Sequence, residues 1–174
     1  TLLHDIARGI DNNQLDVPQH GQPTISFDHT FTDDTNDRKQ VRAAVALLAA
    51  RAGQQLRDSQ ITARRVGLVL IYSDGGRTVR QATRKQTTAS DFILTDLALL
   101  ALQRGWTRRT RLRTCILSCD LFQEKSRQLS LFSLQANGDK KQDKLLEAMD
   151  TIRKKHGLSA IFPGIQHASQ PATR

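Results

Sequence analysis

The order in which two kinds of apolar periodicity follow one another is what most restricts the fold of this chain. Residues 24–31 alternate strictly between apolar and polar side chains, which predicts a half-buried strand. Apolar spacings of three and four then predict an amphipathic helix that ends near Arg57. Residues 66–72 form a dense β-type run, and a turn at residues 73–76 leads into a polar, basic strand at residues 77–87. These two strands are predicted to form a hairpin.

Two further segments complete this order. Residues 94–103 are almost wholly Leu and Ala, which predicts a buried helix that stops at Gly105, and residues 111–121 predict a last strand. The resulting βαββαβ order predicts an α+β fold, in which a four-stranded antiparallel sheet carries two helices on one face. The opposite face of the sheet should be free. A C-terminal extension with an amphipathic helix at about residues 140–156 is expected to follow.

Composition divides the chain into five expected units. They are the end of a helix at residues 1–11, a linker rich in Pro, Asn and Gln at 12–23, the βαββαβ domain at 24–122, an extension with a helix at 123–164, and a disordered tail at 165–174. Because the sequence is already helical in character at its first residues, we expect the chain to be a piece of a longer protein.

Positive charge is concentrated in one quarter of the chain. The net charge is +9, and residues 75–119 hold nine Arg or Lys against two acids, which is +7 of that total. Clustered cations displace condensed counterions from nucleic acid, so this distribution predicts a polyanionic partner. The expected contacts with the DNA backbone lie in two segments, Arg77, Arg80, Arg84 and Lys85 in the first and Arg108, Arg109, Arg111 and Arg113 in the second.

One face of the basic strand is expected to serve this contact. Side chains alternate along a strand, so Arg80, Ala82, Arg84 and Gln86 should share a face and could line up along phosphates. The alternative is an ordinary solvated strand. Aromatic residues are sparse, so base stacking of the kind used by single-strand binders is not supported.

The sequence contains no convincing catalytic or metal-binding constellation. Asp33, Asp34 and Asp37 could hold a divalent metal, as in a small basic nuclease, but we expect them to cap and charge the following helix. The five histidines are scattered, and the turn at residues 73–76 lacks a P-loop lysine. We therefore expect no catalytic residue, metal ligand or cofactor in these residues.

The two cysteines and the absence of long apolar runs indicate the cellular compartment of the protein. Cys115 and Cys119 lie in an apolar stretch, so buried thiols are expected rather than a disulfide, as in a reducing cytosol. No apolar run approaches the roughly 20 residues of a membrane span, and no signal-peptide pattern is visible. We expect a cytoplasmic protein without a membrane partner.

A short apolar peptide lies between two polar stretches. It consists of Gln128, Leu129, Ser130, Leu131 and Phe132. In a hydrophobic groove of a partner, Leu131 and Phe132 could fill pockets while Gln128 forms hydrogen bonds at the rim. The equal alternative is a short strand that buries Leu129 and Leu131 against the sheet.

Four segments of the chain carry motifs that can be compared with known families: ARGID at residues 7–11, SFDHTF at residues 26–31, the peptide at residues 128–132, and the helix-forming residues 145–150. Together they resemble the C-terminal region of Y-family, or translesion, DNA polymerases of the polymerase IV and polymerase V catalytic-subunit type. ARGID resembles the end of the family's thumb, and SFDHTF resembles the strand that opens its little-finger domain, with Asp28 where glutamate is usual. Residues 128–132 match its sliding-clamp-binding peptides, and residues 145–150 beyond them look more like the polymerase V subunit.

The resemblance implies a function for each part of the chain. Residues 24–122 would be the DNA-binding little finger, and residues 123–164 would bind the bacterial sliding clamp. The implied partners are primer–template DNA, that clamp, and the palm, fingers and thumb of the same polymerase. Error-prone synthesis in DNA repair and SOS mutagenesis would use Mg²⁺ held by palm carboxylates upstream of these residues. The alternative is a polymerase-like accessory protein that recruits mutagenesis partners without synthesis.

Overall fold

A computed structural model of the chain describes residues 23–124, 136–157 and 160–161. Its strands are β1 (Ile25–Thr35), β2 (Ile61–Tyr72), β3 (Arg77–Thr88), β4 (Leu112–Asp120) and β5 (Gln123–Glu124), and its helices are α1 (Arg38–Asp58), α2 (Asp91–Gly105) and α3 (Ala136–His156). The predicted α+β class and βαββαβ order are confirmed. The expected N-terminal helix and linker, the peptide at residues 128–132 and the tail lie outside the described residues.

The sheet is antiparallel, with the strand order β1-β4-β2-β3. The predicted hairpin joins β2 to β3, and Gly75 in its turn has a φ of 79°, a backbone conformation that favours glycine. The central strand β4 pairs with β1 through Ile25 and Cys119, and with β2 through Val66 and the same Cys119. The two-residue strand β5 adds a short pairing with the start of β2 that the sequence did not predict.

The core lies between the sheet and the antiparallel helices α1 and α2. Leu48 of α1 and Leu94 of α2 are fully buried together with Leu68 of β2 and Leu117 of β4. The alternating residues of β1 that predicted a strand are half-buried against this core. Leu, Val and Ala at every second strand position and every third or fourth helix position therefore explain why one sheet face carries both helices.

The acidic residues before α1 have two different roles. Asp37 is the N-cap of α1, and its side chain accepts a hydrogen bond of 2.8 Å from the backbone N–H of Lys39. The expectation that Asp33 and Asp34 also serve this helix is wrong, because both lie in β1. The strand continues past the alternating residues because its end still pairs with β4.

The helix α3 is attached to the domain by a buried group of charges, which we call the interhelical ion-pair network. It consists of Arg57 of α1, Asp91 of α2, and Asp150 and Arg153 of α3. Arg57 donates through Nε and Nη2 to both carboxylate oxygens of Asp150, at 2.6 and 2.7 Å. The oxygens of Asp91 accept from Arg57 Nη1 and from Arg153 Nη1, each at 2.7 Å. One carboxylate thus joins all three helices.

Cys115 and Cys119 are free and buried on the core face of β4, as predicted. Burial raises the pKa of each thiol to about 12, so neither forms a reactive thiolate at neutral pH. Within the described ranges, no helix combines the length and the apolar character needed to cross a membrane.

Candidate nucleic-acid interface

The free face of the sheet is formed by the strand residues that alternate with the core. Leu68 and Leu117 are paired and buried on the helix side, so their neighbours Gly67 and Ser118 lie on the other side. Following this register across the strands gives a centre of small and polar residues: Ser26, Thr30, Gly67, Gln81, Thr83, Thr114 and Ser118. Hydroxyl and amide groups of this kind hydrogen-bond to phosphate and sugar oxygens.

Gly67 keeps the middle of this face shallow. A Cβ at this position would lie 2.6 Å from the Ser118 hydroxyl oxygen, so a larger residue would displace that side chain. The nearby row of Ile116, Val69 and Val79 is apolar, Val79 is 43% exposed, and the row ends at Asp28 on the edge strand β1. In this row and the row through Gly67, Asp28 is the only charged residue, and it lies at the edge of the sheet.

One charged pair on the free face is already neutralised. Arg65 of β2 lies opposite Asp120 of β4 and donates to both carboxylate oxygens, at 2.6 and 2.7 Å. These hydrogen bonds raise the pKa of the Arg65 guanidinium above its ordinary value. Its position follows from alternation along β2, which could have been extended backwards from residues 66–72, but the pairing with Asp120 requires the sheet order.

Positive charge lies at the ends of the free face instead. Arg77 opens β3 opposite Ile71, and its exposed side chain has no ion pair among the described residues. Lys85 lies towards the other end of the same strand, between Thr83 and Thr88, where the pairing register with β2 shifts. It is exposed and lines a cleft with Arg64 and Phe122.

The basic residues expected to share one face of β3 lie on the helix side of this edge strand. Ala82 is buried in the core, and Arg80 packs its stem beside Gly105 of α2. Arg84 and Gln86 line a cleft together with residues of α2 and α3. These side chains do share one face of β3, but Ala82 on that face is buried in the core, so it is the face towards the helices and not the free face. Arg80 and Arg84 remain exposed at the sheet edge, where long stems can carry a guanidinium outward.

Two of the four arginines in the second basic segment are committed to ion pairs. Arg108 donates to Asp74 at 2.5 Å and stacks over the ring of Tyr72, 4.8 Å from its centroid. The Gly76 N–H, with a further contribution from Arg108, holds the pKa of Asp74 below its ordinary value. Arg113 pairs with Asp34 at 3.2 Å.

The other two arginines are held by their backbone and leave their side chains exposed. The carbonyl of Arg109 accepts from Asn36 Nδ2 at 2.8 Å, and that of Arg111 accepts from the Ser73 N–H at 2.9 Å. Because Ser73 begins the turn that leads to Arg77, the structure brings the second segment to the same sheet end as Arg77. Arg84 and Lys85 lie near the other end of β3, away from Arg77 and the second segment.

Potential metal ligands do not cluster in the part of the chain that the structure describes. In residues 23–124, 136–157 and 160–161, no three His, Cys, Asp or Glu side chains approach closely enough to hold a metal ion. The peptide at residues 128–132 lies outside the described residues.

Comparison with known proteins identifies the family. Residues 22–131, more than half of the chain, match the impB/mucB/samB family C-terminal domain. DNA polymerase IV of Clostridium kluyveri is 24% identical over 93% of this chain and 42% of its own length. DNA polymerase IV of Dehalococcoides mccartyi is 26% identical over 93% of this chain and 40% of its own length.

A similar solved structure is described as a complex of the β-clamp processivity factor and the little finger domain of PolIV. It is 17% identical, with a TM-score of 0.48, and the match covers 64% of this chain and 100% of that one. The chain spans about two fifths of the length of the curated relatives it matches. Because the family model matches more than half of the chain, the chain belongs to the impB/mucB/samB family, as a C-terminal region of the Y-family polymerase type.

Proposed function

We propose that this domain grips the backbone of duplex DNA for a translesion polymerase. The observation that supports it most directly is a free sheet face whose hydroxyl-rich centre, with Asp28 only at its edge, lies between Arg77 and Arg111 at one end and Lys85 at the other. Hydroxyl groups at the centre would hydrogen-bond to the backbone while the cations neutralise phosphates on either side. Such contacts position a duplex without reading its sequence, which suits a polymerase that must accept damaged templates.

Alanine at Arg77 or Lys85 is expected to weaken duplex binding equally on unrelated sequences. Each change removes about one phosphate contact, so the slope of log K against log salt should fall by about 1. The measurement is fluorescence anisotropy of a labelled duplex over a range of salt concentrations. Arg104→Ala, which removes an exposed charge from the end of α2 on the helix side, is the matched control and should leave the slope unchanged.

Two results would count against this interface. One is a strong preference of the wild-type chain for a single duplex sequence, because phosphate contacts carry no base information. The other is an unchanged salt slope in the Arg77→Ala/Lys85→Ala double variant.

We propose that the complete protein is an error-prone, DNA-directed DNA polymerase acting in DNA repair and SOS mutagenesis in the bacterial cytoplasm. The curated relatives named DNA polymerase IV support this activity. Synthesis would rest on palm carboxylates and Mg²⁺ outside these residues. The alternative accessory role would be favoured if the palm of the complete protein lacked those carboxylates.

We further propose that Gln128, Leu129, Ser130, Leu131 and Phe132 dock on the sliding clamp. The match of these residues to clamp-binding peptides supports the proposal. The elements that flank the peptide are both attached to the domain: Thr62 donates to the Gln123 carbonyl of β5 at 2.9 Å, and the interhelical ion-pair network holds α3. Docking would therefore tether the DNA-gripping domain itself, which raises its effective concentration at the primer end.

Truncating the two large side chains of this peptide is expected to remove clamp binding. A single hot-spot side chain contributes about 2 kcal/mol or more, so Leu131→Ala/Phe132→Ala should weaken binding at least about 30-fold. The measurement is a titration of labelled chain with purified clamp. Leu145→Ala, at a position of α3 that is 50% exposed, is the matched apolar control and should bind as wild type. Equal binding by the double variant would exclude this peptide as the clamp ligand.

A further inference from the structure

A second basic surface lies on the helix side of the domain, away from the free sheet face. It is a groove of about 660 Å³ at the place where the first turns of α1 meet the end of α2 and the loop that follows. We call it the α1–α2 groove. The residues that matter for its chemistry are Arg38, Arg42, Leu99, Leu102, Trp106 and Arg109.

The floor of the α1–α2 groove is apolar and fixed. Leu99, Leu102 and Trp106 follow one another at helical spacing, so they form a stripe on one side of α2 and its C-cap. Leu102 is 4% exposed, and Leu99 and Trp106 are half-buried against the core. The floor therefore offers a preformed apolar surface that costs little to organise.

The rim of the groove carries positive charge that the fold does not neutralise. Arg38 and Arg42 are exposed and lie one turn apart on α1, and exposed Arg109 lies across from them. No ion pair joins any of these three side chains to another described residue, whereas the neighbouring Arg108 is paired with Asp74. Asn36 fixes the Arg109 backbone to the start of α1. Like charges placed together repel one another, so an anionic ligand at this rim would relieve the repulsion among the arginines.

We propose that the α1–α2 groove binds an acidic peptide segment of a partner protein, with one large apolar side chain seated on Leu99, Leu102 and Trp106. Its volume is in the range of pockets that enclose a few side chains. A duplex would satisfy the arginines but has no large apolar group for the floor, whereas an acidic peptide satisfies both. Trp and Arg are also the residues most enriched among interface hot spots. This partner site is independent of the DNA grip and of the clamp peptide.

Trp106 makes the proposal directly measurable, because it is the single tryptophan of the chain. The probe is the synthetic peptide acetyl-Glu-Asp-Glu-Leu-Leu-Asp-Glu-Asp-amide, and its control has Gln for every Glu and Asn for every Asp. We expect the acidic peptide to give a saturable change in Trp106 emission. The neutral peptide, and the acidic peptide with Arg38→Ala/Arg42→Ala, should bind at least about tenfold more weakly.

The controls separate this site from the DNA interface. Arg104→Ala should bind the acidic peptide as wild type, and Arg38→Ala/Arg42→Ala should keep its circular dichroism spectrum and its affinity for duplex DNA. The proposal is overturned if the acidic peptide gives no saturable change or if the neutral peptide binds equally well. It is also overturned if a short duplex, but not the acidic peptide, produces an emission change that depends on Arg38 and Arg42, since the groove would then belong to nucleic acid.

Discussion

Asp91→Ala is expected to lower the free energy of unfolding by about 3 to 5 kcal/mol, because it leaves two guanidinium groups without the carboxylate between them. The Asp91 and Arg153 side chains are each 1% exposed, and that of Arg57 is 13% exposed, so the unpaired guanidinium groups would stay largely buried. Urea unfolding followed by circular dichroism measures the change. A loss of this size is a large part of the stability of an ordinary domain.

Asp96→Ala provides the matched control on the same helix. Asp96 is exposed, so its replacement should change stability by no more than about 0.5 kcal/mol. If Asp91→Ala were equally neutral, the interhelical ion-pair network would not hold the three helices together in solution. Hydrogen exchange adds a spatial readout: Asp91→Ala should reduce protection in α3 more than in the central strand β4, because α3 depends on the network for its attachment.

The fold could be predicted because the spacing of apolar residues within each helix or strand indicates which of its sides is buried. Alternation in β1 and the Leu and Ala run of α2 each indicate a buried side without reference to any distant residue. The end of β1 was missed, because Thr32 to Thr35 have no apolar pattern and are held as a strand by pairing with β4. The short strand β5 was missed for the same reason.

The candidate site could be predicted in its charge but not in its geometry. Counting Arg and Lys located both basic segments, yet the burial of Ala82 under α2 decides which way Arg80 faces. Likewise, Asp150 lies 93 residues from Arg57, so only the packing of α3 brings their side chains together. The α1–α2 groove has the same origin, since the arginines on its rim come from separate elements. Pairings between distant positions of the chain have no signature in a single sequence.

Gly53→Ala is expected to lower the free energy of unfolding by about 1 to 3 kcal/mol, as overpacking of a buried site usually does. Helix propensity alone predicts the opposite sign, because alanine in a helix interior is favoured over glycine by about 1 kcal/mol. Gly53 lies in the last third of α1 but still inside the helix, where an added Cβ would collide with Oδ1 of Asp91 and lie 3.1 Å from Nη1 of Arg57. Urea unfolding therefore tests whether packing or propensity dominates here.

Combining Gly53→Ala with Asp91→Ala tests why Gly53→Ala is expected to destabilise the domain when helix propensity alone predicts stabilisation. In the Asp91→Ala background the colliding oxygen is absent, so Gly53→Ala should regain its helix-forming benefit and become neutral or stabilising. A double-mutant cycle should then give a coupling free energy of about 1 to 3 kcal/mol between the two positions. Additive effects would mean that the stability change caused by Gly53→Ala does not depend on the Asp91 carboxylate. A measured coupling would show that the bare backbone of α1 makes room for the charge that joins the three helices.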